Sequence, residues 1–213
     1  MNRDMEKSLL SAARFYDGKK VGDTGPLGFR RSTDLMKLKE CIDGLLERKI
    51  LNPGKSLFLD MGCGDGRVNV LFSYLVRKSI GIEMDEWTLD EYIPLKQELL
   101  TVLGADRLML PPENIFLFQG DSRDAGLHES IQRQTGVGFE DFDLFYTYLT
   151  LQDEFAELIA QRAKAGAVFM VYGLDRIMPR HRDLRLLTPG EPLKGIVALY
   201  QKKGGSKKEL ENS

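Results

Sequence analysis

The segment LFLDMGCGDGR, residues 57–67, carries the residue types best suited to binding chemistry. An apolar run ends at an aspartate, three glycines follow at alternate positions, and a helical pattern begins at Arg67. Glycine lets a ligand approach the main chain closely, and carboxylates attract positively charged groups. We therefore predict a cofactor site in this turn. Its predicted members are Asp60, Gly62, Cys63, Gly64, Asp65 and Gly66.

The spacing of the glycines separates two classes of ligand. Dinucleotide-binding turns have the pattern G-x-G-x-x-G, but here the sixth position is Arg67. A pyrophosphate would also be repelled by Asp60 and Asp65. S-adenosylmethionine (SAM) carries an ammonium and a sulfonium and no phosphate, so carboxylates favour it. The sequence thus predicts SAM as the cofactor, and an oxidoreductase that uses NAD is the least favoured alternative.

Acidic residues also end the next two strand patterns. Glu83 lies 17 residues after Gly66 and could accept hydrogen bonds from both hydroxyls of a ribose. Apolar side chains just beyond Glu83 could lie against an adenine ring. The third pattern ends at Asp121, which could accept from the adenine amino group. The further predicted cofactor residues are Glu83, Met84, Trp87, Gly120, Asp121 and Ser122.

The fourth strand pattern ends in FYTYLT and supplies the candidate catalytic residues, Tyr146 and Tyr148. Side chains alternate along a strand, so these two share a face. Methyl transfer needs alignment of donor and acceptor more than a strong base, and either tyrosine could position an acceptor amine. The alternative is that both are ordinary core or rim aromatics. The N-P-P-Y motif of enzymes that methylate planar amino groups does not occur in the chain.

Strands and helices must alternate to position these groups. Five apolar runs are separated by helical patterns, which favours a parallel sheet covered on both faces. The predicted strands are Leu57–Met61, Ser79–Glu83, Ile115–Gln119, Asp143–Tyr148 and Ala167–Tyr172. Two short patterns, Leu184–Thr188 and Gly195–Gln201, follow as a hairpin, so the last strand should run antiparallel.

We divide the chain into three parts. Residues 1–31 are expected to form a cap or lid, residues 32–201 the catalytic domain, and residues 202–213 a disordered tail. The lid residues expected to contact cofactor or substrate are Phe15, Tyr16, Phe29 and Arg30.

Composition narrows the function classes. The 213 residues are 42% apolar, which suits one domain, and 30 basic against 32 acidic residues give no global attraction to nucleic acid. The basic run Arg176–Arg185 is either a solvated loop or a patch for an acidic substrate. Two cysteines are too few for a disulfide framework, and no metal site is predicted. No apolar stretch indicates a signal peptide or membrane span, so we expect a cytoplasmic protein without a membrane partner.

The chain resembles the class I SAM-dependent methyltransferases over about residues 32–201. LDMGCGDGR is similar to the family's first motif, GIE to its ribose acid and QGD to its adenine-side acid. The resemblance implies an α/β, Rossmann-like three-layer sandwich with a mostly parallel seven-stranded sheet of order 3-2-1-4-5-7-6. It also implies methyl transfer from SAM to an acceptor that the motifs do not name.

A narrower resemblance concerns the acceptor. GCGDGR, GIE and DLFYTYL are similar to a bacterial and mitochondrial group related to the seven-strand protein lysine methyltransferases. This implies a protein lysine as acceptor. A small molecule or RNA is the alternative, with nucleic acid ranked below the other two. An alternative of another class is a SAM-binding module without catalytic activity. The oligomeric state is left open.

Overall fold

The computed structural model describes residues 2–19, 32–174 and 178–204. Phe29, Arg30 and Arg176, which the sequence marked as candidate contacts, lie outside these ranges. Residues 205–213, most of the expected tail, also lie outside them.

The described residues form seven helices, seven strands and a short 3-10 turn at Phe139–Asp141. The helices are α1 (Arg3–Asp17), α2 (Leu35–Glu47), α3 (Arg67–Ser73), α4 (Glu86–Asp90), α5 (Tyr92–Ala105), α6 (Ala125–Thr135) and α7 (Gln152–Arg162). The strands are β1 (Leu57–Met61), β2 (Lys78–Glu83), β3 (Ile115–Gln119), β4 (Leu144–Tyr148), β5 (Val168–Tyr172), β6 (Leu184–Leu186) and β7 (Val197–Lys202).

The strands form one sheet in the order β3-β2-β1-β4-β5-β7-β6, which confirms the predicted topology. The five strands from β1 to β5 are parallel, and β7 pairs antiparallel with both β5 and β6. The carboxyl ends of the parallel strands therefore meet at one edge, where open α/β sheets bind their ligands.

Alternate side chains of each strand enter two separate cores, because successive residues of a strand point to opposite faces. In β1, Phe58 belongs to the core beneath α1, α2, α3 and α5, while Leu57 and Leu59 belong to the core beneath α6 and α7. In β4, Tyr146 enters the first core and Phe145 the second. The result is the predicted three-layer sandwich.

Local chemistry explains where helices begin. Asp34 caps α2 by accepting a hydrogen bond from the Lys37 amide at 2.9 Å, and Asp17 accepts from the amide of Leu35 at 2.8 Å. Pro94 is the third residue of α5, where its missing N–H costs no intrahelical bond. The short helix α4 therefore precedes Pro94, and α5 begins two residues before it.

The terminal hairpin differs from the prediction in length. β6 ends at Leu186, two residues before the predicted end, and beyond it the Leu199 amide donates to the Thr188 hydroxyl at 3.3 Å. β7 begins at Val197 and continues to Lys202, so Lys202 belongs to the sheet and not to a tail.

Helix α1 packs against α2, α3 and α5 and belongs with them to one helical layer of the fold. Tyr16 is fully buried in the first core, and Phe15 packs against it edge to face at 5.2 Å. The closure of a lid by the residues that follow α1 stays a prediction.

Candidate cofactor and active site

The turn after β1 has a backbone that only glycine adopts readily. Gly64 and Gly66 have φ angles of 56° and 75°. A Cβ at Gly66 would lie 2.8 Å from side-chain atoms of both Leu117 and Tyr92, so the close packing of this turn also excludes a larger residue. The alternating glycines thus keep the main chain bare where β1 meets α3.

Asp60 is a buried carboxylate at the end of β1. Its side chain is 1% exposed, and neither carboxylate oxygen has a hydrogen-bond partner within the described residues. Burial raises its pKa well above the ordinary value, and the nearby charges of Glu83 and Asp65 add to the rise. A buried group of this kind is costly unless a positively charged partner neutralises it.

Asp65 has such a partner within the chain. The Arg67 guanidinium donates from Nε to Oδ1 at 3.0 Å and from Nη2 to Oδ2 at 2.8 Å. Arg67 also donates from Nη1 to the carbonyl oxygen of Tyr16 at 3.2 Å, and its guanidinium lies 5.5 Å from the centroid of that ring. Arg67 therefore ties α1 to the turn, and the charge of Asp65 is already matched. The prediction that it helps to attract the cofactor's positive charge has no support in this geometry.

Cys63 lies inside the turn as a buried, free thiol. Burial raises its pKa, and the neighbouring carboxylates of Asp60 and Glu83 raise it further. The amide of Cys63 donates to the carbonyl oxygen of Ile82 at 2.9 Å, which joins the turn to β2. A thiol held neutral in this way is a small packing residue and not a nucleophile.

Glu83 contacts the glycine turn, and its predicted contact with a ribose stays a prediction. Its Oε2 accepts from the Gly64 amide at 2.9 Å, and its Oε1 accepts from the Asp85 amide at 3.0 Å. Its carbonyl oxygen accepts from the Gly120 amide at 2.8 Å. These contacts fix the carboxylate at the shared edge of β1, β2 and β3.

The predicted adenine contacts flank this edge. Trp87 and Met84 are 82% and 49% exposed, so both offer apolar surface to a ligand. Asp121 pairs with Arg123 through a 2.7 Å contact, and these hydrogen bonds lower the pKa of Asp121. The carbonyl oxygen of the buried Ser122 accepts from Nε2 of His128 at 2.8 Å.

The two predicted catalytic tyrosines differ in environment. Tyr146 is fully buried, lies opposite Asp60 in the β1–β4 register, and shares a 2.6 Å hydrogen bond with the Thr33 hydroxyl. Burial raises its pKa well above the ordinary value, with a further contribution from the Asp60 charge. Tyr148 is half-buried at the end of β4, and its ring centroid lies 5.2 Å from that of Tyr172. Only Tyr148 retains an accessible face.

Strained backbone follows Tyr148. Leu149 and Leu151 have φ angles of 51° and 52°, which leucine rarely adopts. The Thr147 hydroxyl donates to the carbonyl oxygen of Thr150 at 3.2 Å and so helps to hold this turn. Strain that surrounding contacts maintain is typical of functional sites.

Sequence reasoning missed this turn, the Asp65–Arg67 pair and the Thr33–Tyr146 contact. The letters YLTL contain no Gly or Asn that would signal a left-handed backbone. Thr33 and Tyr146 are 113 residues apart, so no local pattern joins them. Within the described ranges, no helix is both long and apolar enough to cross a membrane, and no three His, Cys, Asp or Glu residues are grouped to hold a metal ion.

Comparisons with known proteins identify the fold class. No protein-family model matches the chain, and no curated protein matches it. Among solved structures, it is similar to an RNA methyltransferase from Salinibacter ruber in complex with S-adenosyl-L-homocysteine (SAH). The identity is 15%, over 86% of this chain and 100% of that one, with a TM-score of 0.50. It is also similar to the tRNA (m1A58) methyltransferase TrmI from Aquifex aeolicus. There the identity is 14%, over 84% of this chain and 74% of that one, with a TM-score of 0.52.

The chain has the fold of the class I SAM-dependent methyltransferases. This confirms the fold that the LDMGCGDGR, GIE and QGD segments implied. At these identities the likeness concerns the fold, so the activity must be argued from the residues of the site.

Proposed function

We propose that this chain is a SAM-dependent methyltransferase. The observation that carries the proposal is Asp60, a buried carboxylate beside a bare glycine turn with no partner in the described part of the chain. An ammonium or sulfonium at this position would neutralise it, whereas a pyrophosphate would be repelled. SAM has both cationic groups, and its homocysteine product SAH retains the ammonium.

The remaining geometry also supports a SAM site. Gly62 has open space around the position of a Cβ, and Gly64 has only Thr88 nearby at 3.8 Å, so a ligand can lie directly on the main chain. Glu83 would hold the ribose from the far side of the turn. Arg67, the residue that breaks the dinucleotide pattern, is directed to Asp65 and Tyr16 and offers no charge to a pyrophosphate.

The residues at the end of β4 would align the acceptor. When bound, SAM supplies an electrophilic methyl group on a positively charged sulfur. We assign Tyr148 to contact with the acceptor, because its ring is partly accessible where β4 ends. Tyr146 is a positioning residue, since its hydroxyl bonds to Thr33 and its raised pKa keeps it protonated. An amine acceptor must lose its proton before it attacks, and a desolvated site near a sulfonium favours the neutral amine.

A direct screen would identify the class of molecule that accepts the methyl group. A protein lysine is the hypothesis from the narrower sequence resemblance, and the two solved structures are named as RNA and tRNA methyltransferases. Small molecules are the third class. Radiolabelled SAM incubated with RNA, protein and small-molecule fractions would show which fraction acquires label. If none acquires label while SAM binds, the chain is a binding module and not an enzyme.

Ligand binding tests the cofactor assignment independently of the acceptor. SAH at 100 times its dissociation constant should stabilise the fold by about 2.7 kcal/mol, measurable as a thermal shift or by calorimetry. NAD at the same concentration serves as the control and should give no shift. Stabilisation by NAD alone would refute the proposal.

A further inference from the structure

The turn between β3 and α6, residues 120–124, contains three of the predicted cofactor residues, and main-chain contacts fix both of its ends. The Gly120 amide donates to the carbonyl oxygen of Glu83 at 2.8 Å, which holds the start of the turn against β2. The Asp124 amide donates to the carbonyl oxygen of Asp121 at 2.9 Å, which closes the turn where α6 begins. The path of the chain is therefore set at both ends of this turn.

The centre of the same turn is held by a side chain of α6. Nε2 of His128 lies 2.8 Å from the carbonyl oxygen of Ser122. A carbonyl oxygen can only accept, so Nε2 carries the proton and donates. Burial lowers the pKa of His128, which favours the neutral ring, and its Nδ1 is buried without a partner among the residues that the structure describes. The ring also packs edge to face on Phe139, with 4.7 Å between centroids, so its position and its tautomer are both fixed.

The Ser122 amide lacks the kind of partner that the next amide has. The Arg123 amide donates to Oδ1 of Asp121 at 2.8 Å, whereas the Ser122 amide makes no hydrogen bond within the described ranges. Ser122 is only 6% exposed, so water has little access to this donor, and a buried donor without a partner is costly. Because His128 holds the carbonyl of the same residue, it limits the rotation of the Ser122 backbone. The Ser122 amide is thus a fixed donor that a ligand could satisfy.

The turn offers a hydrogen-bond acceptor and a donor on consecutive residues. The carboxylate of Asp121 accepts from Arg123 with both oxygens, but a carboxylate has about four lone-pair sites and can accept a further bond. Adenine presents the complementary pair on one edge, because its amino group donates and the neighbouring ring nitrogen accepts. Hypoxanthine reverses both groups, since its oxygen accepts and the ring nitrogen beside it donates. Asp121 and Ser122 together can therefore distinguish these two bases.

We propose that His128 is a positioning residue for the adenine ring of the cofactor. Its hydrogen bond to Ser122 holds the turn so that the Ser122 amide meets the accepting ring nitrogen and the Asp121 carboxylate meets the amino group. His128 itself does not touch the ligand and acts only through Ser122. The inference rests on the proposed function, because it takes an adenosyl compound as the ligand.

Calorimetry with two ligands tests the inference. One is SAH, and the other is S-inosylhomocysteine, in which hypoxanthine replaces adenine. The unmodified chain should bind SAH at least about a hundredfold more tightly, because both hydrogen-bonding groups are mismatched in the analogue. His128→Leu removes the donor and should reduce this preference at least about fivefold. His128→Gln keeps a donor at similar reach and should restore most of the preference.

A matched control is Ile131→Ala on the same helix. Ile131 is 1% exposed and belongs to the second core, so its truncation destabilises α6 without removing a contact to Ser122. We expect this variant to keep the full preference for SAH, and urea unfolding would give the folded fraction of each variant. A second measurement needs no variant. In an NMR spectrum of the isotope-labelled, unmodified chain, the Ser122 amide proton should shift downfield with SAH and not with S-inosylhomocysteine.

Three results would overturn the inference while leaving the proposed function in place. One is a preference for SAH that His128→Leu leaves unchanged. Another is an equal loss of preference in Ile131→Ala, which would indicate only a loss of stability. The third is a Ser122 amide signal that SAH does not move, and this measurement decides if His128→Leu does not fold. An unmodified chain that binds neither ligand would instead refute the proposed function, and this inference with it.

Discussion

Asp60 and Asp65 lie on the two sides of one glycine turn and are buried almost equally, at 1% and 2% exposure. Asp65 is held by a guanidinium through three hydrogen bonds between side chains, whereas Asp60 has no partner in the described part of the chain. The two side chains are therefore almost equally buried, but only Asp65 has a charged partner. In our proposal the carboxylate without a partner is the one that a cationic ligand would neutralise, whereas the paired carboxylate belongs to the packing of the fold.

The largest effect should follow from breaking the ion pair between Asp65 and Arg67. Arg67→Met keeps much of the volume but leaves Asp65 buried and uncompensated, so the free energy of unfolding should fall by about 3–5 kcal/mol. Urea unfolding measures this change. The double variant with Asp65→Asn should recover part of the loss, because it removes the orphaned charge. A loss below about 1 kcal/mol in the single variant would show that the pair contributes little.

A change at Asp60, the carboxylate without a partner, should alter ligand affinity more than the free energy of unfolding. Asp60→Asn keeps the shape of the side chain and removes its charge, so SAH should bind at least about thirtyfold more weakly, which corresponds to about 2 kcal/mol or more. Calorimetry with SAH measures the affinity. Asp90→Asn is the control, since Asp90 is an exposed carboxylate on α4. Unchanged SAH affinity in Asp60→Asn would remove the observation on which the proposed function depends.

The turn itself supplies a test of how tightly it is packed. Gly66→Ala places a Cβ 2.8 Å from both Leu117 and Tyr92 and forces alanine to a φ of 75°. We expect about 2–4 kcal/mol of destabilisation, from the left-handed backbone and the overpacking together. Gly54→Ala is the matched control, because Gly54 has a similar φ of 69° but a Cβ there would have no atom within 4 Å. It should lose only the backbone part, about 1 kcal/mol. Equal losses would assign the whole effect to the backbone.

The raised pKa of Asp60 predicts a pH dependence with a definite sign. The unfolded side chain releases its proton near pH 4, whereas the folded one retains it to a higher pH, so the folded state binds more protons in between. Stability without ligand should then fall as pH rises from about 4, by as much as about 1.4 kcal/mol per pH unit from this group. The difference between the unmodified chain and Asp60→Asn isolates this contribution. A difference that is constant with pH would contradict the assignment.

The same comparison shows what the sequence could predict. Asp60, the glycines and Glu83 lie within 24 residues, and strand periodicity places them at adjacent strand ends, so their proximity was predictable. Whether each carboxylate is paired was not, because pairing depends on the direction of the Arg67 side chain. Contacts between distant segments, such as Thr33 with Tyr146, depend on how α2 packs over the sheet. The contact between the Thr188 hydroxyl and the Leu199 amide, beyond the end of β6, is likewise not visible in the local sequence pattern.

The smallest predicted effect concerns the tyrosine beside Asp60. Thr33→Val leaves the buried Tyr146 hydroxyl without its 2.6 Å partner, which should lower the free energy of unfolding by about 1–2 kcal/mol. Thr33→Ser keeps the hydroxyl and should lose less. Since Tyr146 positions and does not contact the acceptor in our proposal, SAH affinity should change little in either variant, while Tyr148→Phe should impair methyl transfer more than Tyr146→Phe does. If Thr33→Val destabilises no more than Thr33→Ser, the hydrogen bond is unimportant. Tyr146 would then have to be reconsidered as a residue that contacts ligand.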